Sequence, residues 1–199
     1  MSTITPRKKR HARSRQAILD AAASMIMQHG YEKLSLRELA RQADYSPAGL
    51  YEYFASKEDI LLAISEQITR QMSAALEAVP QDMPVRDHLV QLALAYIQYA
   101  LQNKEHFQLM NALPSRRKSL DEPVPPDSPY TILLRAVQRA LDAGEIQTRA
   151  DTRPDEIAFS LWALVHGIAA LRLTHLQDFQ ADFEKTDRQA IETLLKGLA

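Results

Sequence analysis

The chain has 199 residues, is 46% hydrophobic and 25% charged, and carries a net charge of -1, which fits an ordinary soluble globular protein and excludes a polycation or a low-complexity chain. It has no cysteine, so disulfides, thiolate zinc sites and cysteine nucleophiles are excluded. Only 5 glycines occur and the 10 prolines are clustered, which favours long helices over the many turns of a β-protein.

The basic residues Arg7, Lys8, Lys9, Arg10, Arg13 and Arg15 precede the first acidic residue, Asp20. This cluster fits a nucleic-acid module and fits a solvated tail equally well. It leads into an amphipathic stretch and not into an apolar signal core. Residues 1–12 are therefore read as a basic flexible arm. Residues 13–29 are read as a helix on the spacing of Ile18, Ala22, Met25, Ile26 and His29, with Gly30 as its cap.

Three punctuated helices follow. Ser35-Leu-Arg-Glu38 has the form of a capping box, Ser46-Pro47 pairs an N-cap with proline at the first helical position, and Ser56-Lys-Glu-Asp59 resembles a second capping box. The helix beginning at Ser46 is very short, with Leu50 and Phe54 on its core side. The helix from 57 to about 79 repeats an apolar residue every four positions, at Ile60, Ile64, Ile68, Met72 and Leu76. Further helices are expected over 84–103, 106–113, from about 130 to Gly144, over 154–175, and around Ile191 to Leu198. The segment from Pro114 to Pro129, with Arg116, Arg117 and Lys118, reads as a mobile loop. The run from Ile157 to Leu173 is apolar on nearly all sides, which predicts burial on both sides. Ser160, His166, Gly167 and Arg172 make it too polar for an expected membrane span. The reading is of a cytoplasmic protein with no membrane partner.

Two helices joined by a tight turn at Asp44-Tyr45, the second too short to bury much of itself, suit a helix-turn-helix. In such a hairpin the N-terminal residues of the second helix approach base edges. Pro47, Ala48, Gly49, Tyr51 and Glu52 form its outer face, and the small Ala48 and Gly49 permit close approach. The helix N-termini at Ser35, Ser46 and Ser56 offer backbone N–H groups to phosphates, with Lys57 beside the third. A capped helical hairpin also occurs in α-proteins that bind no DNA, and these residues alone leave both readings open.

Residues 15–64, with Leu-Arg-Glu-Leu-Ala, Ser-Pro-Ala-Gly-Leu-Tyr-Glu-Tyr-Phe and Ser-Lys-Glu-Asp-Ile-Leu, resemble the N-terminal domain of the TetR family of regulators. The resemblance implies an all-α dimer of about nine helices. A three-helix helix-turn-helix domain over 13–56 would precede a helical effector and dimerisation domain over 57–199. It implies a non-enzymatic repressor of a double-stranded DNA operator, released by an unknown small-molecule effector. By position, Ser35, Tyr51, Tyr53 and Lys57 would contact phosphates, and Tyr45, Ser46, Pro47, Ala48 and Gly49 would lie at the groove. The chain departs from the family pattern at Asp44-Tyr45, where Gly-Val is frequent. Asp tolerates a left-handed turn, and Tyr45 becomes either an extra DNA contact or a buried replacement for Val. Gly49 has no side chain with which to read a base.

In the C-terminal half, Trp162-Ala-Leu-Val-His166-Gly167 resembles a subgroup with a Trp-xxx-His-Gly signature on the penultimate helix. His166 is either a core or interface group or part of a ligand site. Tyr96, Tyr99, Phe107, Met110, Phe159, Trp162 and His166 either line an effector cavity or belong to the core. The dimer interface is expected from Ile157, Leu161, Val165 and Ile168 on one helix and Ile191, Leu194, Leu195 and Leu198 on the last. The six histidines show no metal-ligand spacing, no catalytic constellation is visible, and no cofactor is expected. The alternative is an adaptor whose C-terminal half binds a protein partner; a cavity of several hundred Å3 separates the two readings.

Overall fold

A computed structural model describes residues 5–113, 122, 124–146, 148 and 152–197. These form nine α-helices and one short 3-10 turn: α1 (Pro6–His29), α2 (Leu36–Gln42), α3 (Pro47–Tyr51), α4 (Lys57–Glu77), α5 (Val85–Gln102), α6 (Lys104–Ala112), α7 (Pro129–Asp142), α8 (Pro154–Leu173) and α9 (Phe183–Lys196). The all-α expectation holds among the described residues. Leu198, and Pro114 to Asp121 of the expected loop, lie outside them.

The chain divides into two compact units. One comprises Met1–Ile68 with Glu105–Lys118, the other Thr69–Lys104 with Ser119–Ala199. The expected boundary at residue 56 differs from this division because α4 starts inside the first core. Its Ile60, Ala63, Ile64 and Ile68 are buried with Ile18, Ala22 and Ile26 of α1, Leu39 of α2, and Leu50 and Phe54. Leu109 of α6 is buried in the same cluster. In the second unit α8 packs on α5, α7 and α9, and α5 also touches α7 and α9.

Helix ends follow local chemistry. Gly30 takes φ +81 behind α1, and its N–H reaches Ile26 O, a backbone setting that L side chains rarely adopt. The Ser128 hydroxyl accepts from Thr131 N at 3.2 Å, with Pro129 at the first position of α7. The Glu145 carboxylate, from the turn after α7, caps α5 by accepting from Arg86 N at 2.7 Å.

The first correction concerns the N-terminus. Residues 6–12 are not an arm but the first turns of α1. Thr5 is the N-cap, accepting from Lys8 N, and Pro6 stands at the first helical position. The second concerns α8. Ile157, Leu161, Val165 and Ala169 are buried, but Phe159 (42%), Trp162 (39%) and Leu171 (49%) are exposed, so within one chain the helix is covered on one side only. By length and composition alone α8 is apolar enough to cross a membrane, and its packing on three helices of the second unit accounts for the apolarity of its inner face.

Candidate nucleic-acid interface

The helical hairpin α2–α3 is built from the turn outward. Asp44 sits at φ +61, the left-handed setting its short polar side chain tolerates better than most. Tyr45 N then donates to Ala40 O at 2.8 Å, closing the turn. The Ser46 hydroxyl accepts from Gly49 N at 3.0 Å, and Pro47 opens α3. Leu50 and Phe54 are fully buried and pin one side of α3 to the core. Pro47, Ala48 and Glu52 are exposed, Gly49 half-buried, and Tyr51 57% exposed. A large aromatic left in water beside two small residues suits a close approach to a polyanion.

The N-termini around α3 differ in how they are satisfied. Ser35 is the N-cap of α2, but its hydroxyl makes no cap hydrogen bond, so the expected capping box is not formed. Glu38 instead accepts from Arg41, which holds its carboxyl below the usual range. The exposed Ser35 hydroxyl is left for another acceptor. At α4 the box forms in a shifted version: Ser56 Oγ accepts from Asp59 N at 3.1 Å, and the Asp59 carboxylate accepts from Ala55 N at 3.1 Å. The Lys57 ammonium donates to Glu32 O at 3.0 Å and lies 5.8 Å from the Tyr31 ring centre. Two of its three donors remain for a phosphate.

Two contacts were not foreseen from the sequence. The His11 ring lies 4.6 Å from that of Tyr53, and the Arg15 guanidinium sits 4.7 Å above Phe54. Tyr53 is half-buried and meets Tyr45 edge-on at 5.6 Å. Tyr45 packs against the core, so of its two expected roles the buried replacement is the one its position favours. The helical start of α1 thus holds the exposed Arg7, Lys8, Lys9, Arg10 and Arg13 on the same element that contacts Tyr53. The signal was present in Thr5-Pro6, the same cap-and-proline pair as Ser46-Pro47.

The expected effector residues separate. Tyr96 Oη lies 2.9 Å from His166 Nδ1, and the Trp162 ring is 6.1 Å from His166 and 6.2 Å from Phe159. Burial pushes the Tyr96 phenol up to about 12, partly offset by a hydrogen bond from Trp162. It therefore stays protonated, while burial lowers His166. Tyr99 is buried on α5, and burial raises its phenol too. Phe107 is buried on α6 and Met110 is half-buried there. Met110 packs on the core of the first unit, and both belong to that unit, because α6 returns there.

The expected dimer residues also need correction. Ile157, Leu161, Val165, Ile191 and Leu195 are buried within the chain's own helices and are unavailable to a second copy. Ile168 and Leu194 are half-buried. The second unit carries open grooves of about 460, 510 and 520 Å3. No group of three or more metal-ligating side chains occurs among the described residues.

Residues 18–64 match the family model described as bacterial regulatory proteins, tetR family, and residues 89–195 match the tetracyclin repressor-like C-terminal domain. The chain is 38% identical over 65 residues to the A-factor receptor protein of Streptomyces griseus, covering 33% of this chain and 24% of that protein. It is 30% identical over 93 residues to a fatty acid metabolism regulator protein of Bacillus subtilis, covering 47% of this chain and 43% of that one. Each match spans less than half of the relative's own length. A TetR family transcription regulator from Marinobacter aquaeolei VT8 shares the fold, with TM-score 0.73, 21% identity, and coverage of 96% of this chain and 98% of that one. The two family matches take in the α2–α3 hairpin and most of the second unit, and the chain belongs to the TetR family of non-enzymatic, DNA-binding transcriptional regulators.

Proposed function

We propose that this regulator is a cytoplasmic homodimeric repressor, holding a palindromic operator through α3 and releasing it when a small molecule binds the second unit. The observation that carries the reading is the two-sided build of α3. Leu50 is fully buried and Tyr51 is 57% exposed one residue later, with open phosphate donors at Ser35 and Lys57 on either side. Ser35, Tyr51, Tyr53 and Lys57 act on phosphates, which fix register, and Pro47, Ala48 and Gly49 bring the backbone close to the base edges. Tyr53 acts mainly by bracing α1 against the hairpin.

The second copy docks on the outer face of α8, through Phe159 and Leu171, in place of the residues first expected there. The Trp162-xxx-His166-Gly167 run supports membership of the subgroup with that signature. Grooves of several hundred Å3 in the second unit favour a small-molecule effector over a protein partner. The test is selection of the full-length protein on random duplex DNA, with sedimentation in parallel. A dimer enriching inverted repeats with half-sites about one helical turn apart supports the reading. A monomer at micromolar concentration, or no enriched sequence, overturns it. Phe159→Glu with Leu171→Glu should give a folded monomer with DNA affinity reduced at least tenfold.

A further inference from the structure

The groove of about 510 Å3 in the second unit is lined from α4, α5 and α7, a size in the range of small-ligand sites. Leu76 and Leu92 are buried there and Ile132 is half-buried, so the floor is apolar. Arg135 and Arg139 stand one turn apart on α7, on the same face. Neither guanidinium has an ion pair among the described residues. Glu77 also lines the groove, leaving two cations against one anion.

Arg139 is held in place without being neutralised. It donates to Gln81 Oε1 at 3.1 Å and to His88 Nδ1 at 3.2 Å. Arginine has no acceptor, so His88 Nδ1 carries the lone pair and its proton sits on Nε2, where it bonds the Val79 backbone. His88 is only 4% exposed. Its pKa is lowered by burial first and Arg139 second, with the Val79 bond opposing. The histidine is thus a neutral acceptor that orients the guanidinium and leaves its charge for something else. Two guanidiniums without an ion pair among the described residues, with Glu77 the one anion lining the groove, leave a net positive charge over an apolar floor, and an anion between them neutralises it while forming charge-assisted hydrogen bonds.

We propose that this groove binds a carboxylate with a hydrocarbon tail, the head on Arg135 and Arg139 and the tail along Leu76, Leu92 and Ile132. The proposal rests on the effector reading of the second unit and names the ligand class and its position. The probe is decanoate, titrated calorimetrically into the full-length protein without DNA, against decanol and acetate. Expected are one decanoate per chain, with decanol and acetate at least tenfold weaker, since each lacks one half of the match. Arg135→Gln with Arg139→Gln should lose at least tenfold in decanoate affinity. Arg135→Gln alone, at an exposed position, should lose at least threefold with an unchanged melting temperature. Absence of decanoate binding, equal binding of decanol, or full affinity in the variants overturns the proposal. Release of selected operator DNA by decanoate is measured separately. Binding without release upholds the groove and overturns its role as the effector site.

Discussion

Single residues in this chain do work that is readable from their backbone setting or their partners. Asp44 at φ +61 sets the angle between α2 and α3. Asp44→Gly should leave stability unchanged or slightly raised, while Asp44→Val should cost about 1–2 kcal/mol because a β-branched side chain clashes in that region. Urea unfolding of the two variants distinguishes these outcomes. His88 gives a pH dependence whose sign is fixed. Its folded pKa is depressed, so its contribution is present in full above the ordinary value of about 6.5 and is lost as pH falls through the lowered folded value. His166 is depressed in the same direction by burial. Stability should therefore fall as pH is lowered from above about 6.5 through the depressed folded values, and His88→Gln should flatten part of the fall. A variant curve parallel to the wild type across that range contradicts the assignment of neutral His88.

At the scale of elements, α8 and α9 are joined by more than apolar packing. Asp187 on α9 is 6% exposed and accepts from Arg172 on α8 at 2.6 Å, while the Arg172 guanidinium also covers the Phe183 ring at 4.4 Å. Asp187→Ala leaves a largely buried guanidinium without its partner and should cost about 2–3 kcal/mol, less than a fully buried pair because Arg172 keeps some contact with water. Denaturant unfolding measures it, and a loss under 0.5 kcal/mol contradicts the role given to the pair. Such tertiary ties were invisible in the sequence, whereas α3 was legible because Ser46, Pro47, Leu50 and Phe54 carry cap and core signals within nine residues. Thr5-Pro6 carries the same cap signal, but the run of cations behind it looked like a tail. For α8, periodicity identified an apolar helix without saying which face meets its own chain. Ile157, Leu161 and Val165 turned inward, and Phe159 and Leu171 outward. Met110 was misplaced because the return of α6 to the first core is set by long-range packing, which local pattern does not encode.

For the whole molecule, the division of labour follows the division of packing. One unit builds a capped hairpin around Ile18, Leu39, Leu50 and Phe54, while the other holds the grooves and the uncovered face of α8. α4 belongs to both, giving its first twelve residues (57–68) to one unit and Thr69–Glu77 to the other. It has neither Gly nor Pro within it, and under the proposed function it is the element through which an effector would bias the separation of two α3 helices in a dimer. Driving such a switch from mostly bound to mostly released requires an effector that prefers the DNA-incompetent arrangement by about 10⁴-fold, and operator DNA must then weaken that effector by the same factor. The central claim is that α3 and its flanking donors hold the DNA backbone. Its most direct test is fluorescence anisotropy of the wild type, Tyr51→Ala and Lys57→Ala on a selected duplex and on a scrambled one, across a salt series. Both variants should weaken binding to both duplexes, and Lys57→Ala should flatten the salt dependence by about one unit of slope. Unchanged affinity of both variants at every salt concentration would contradict the account.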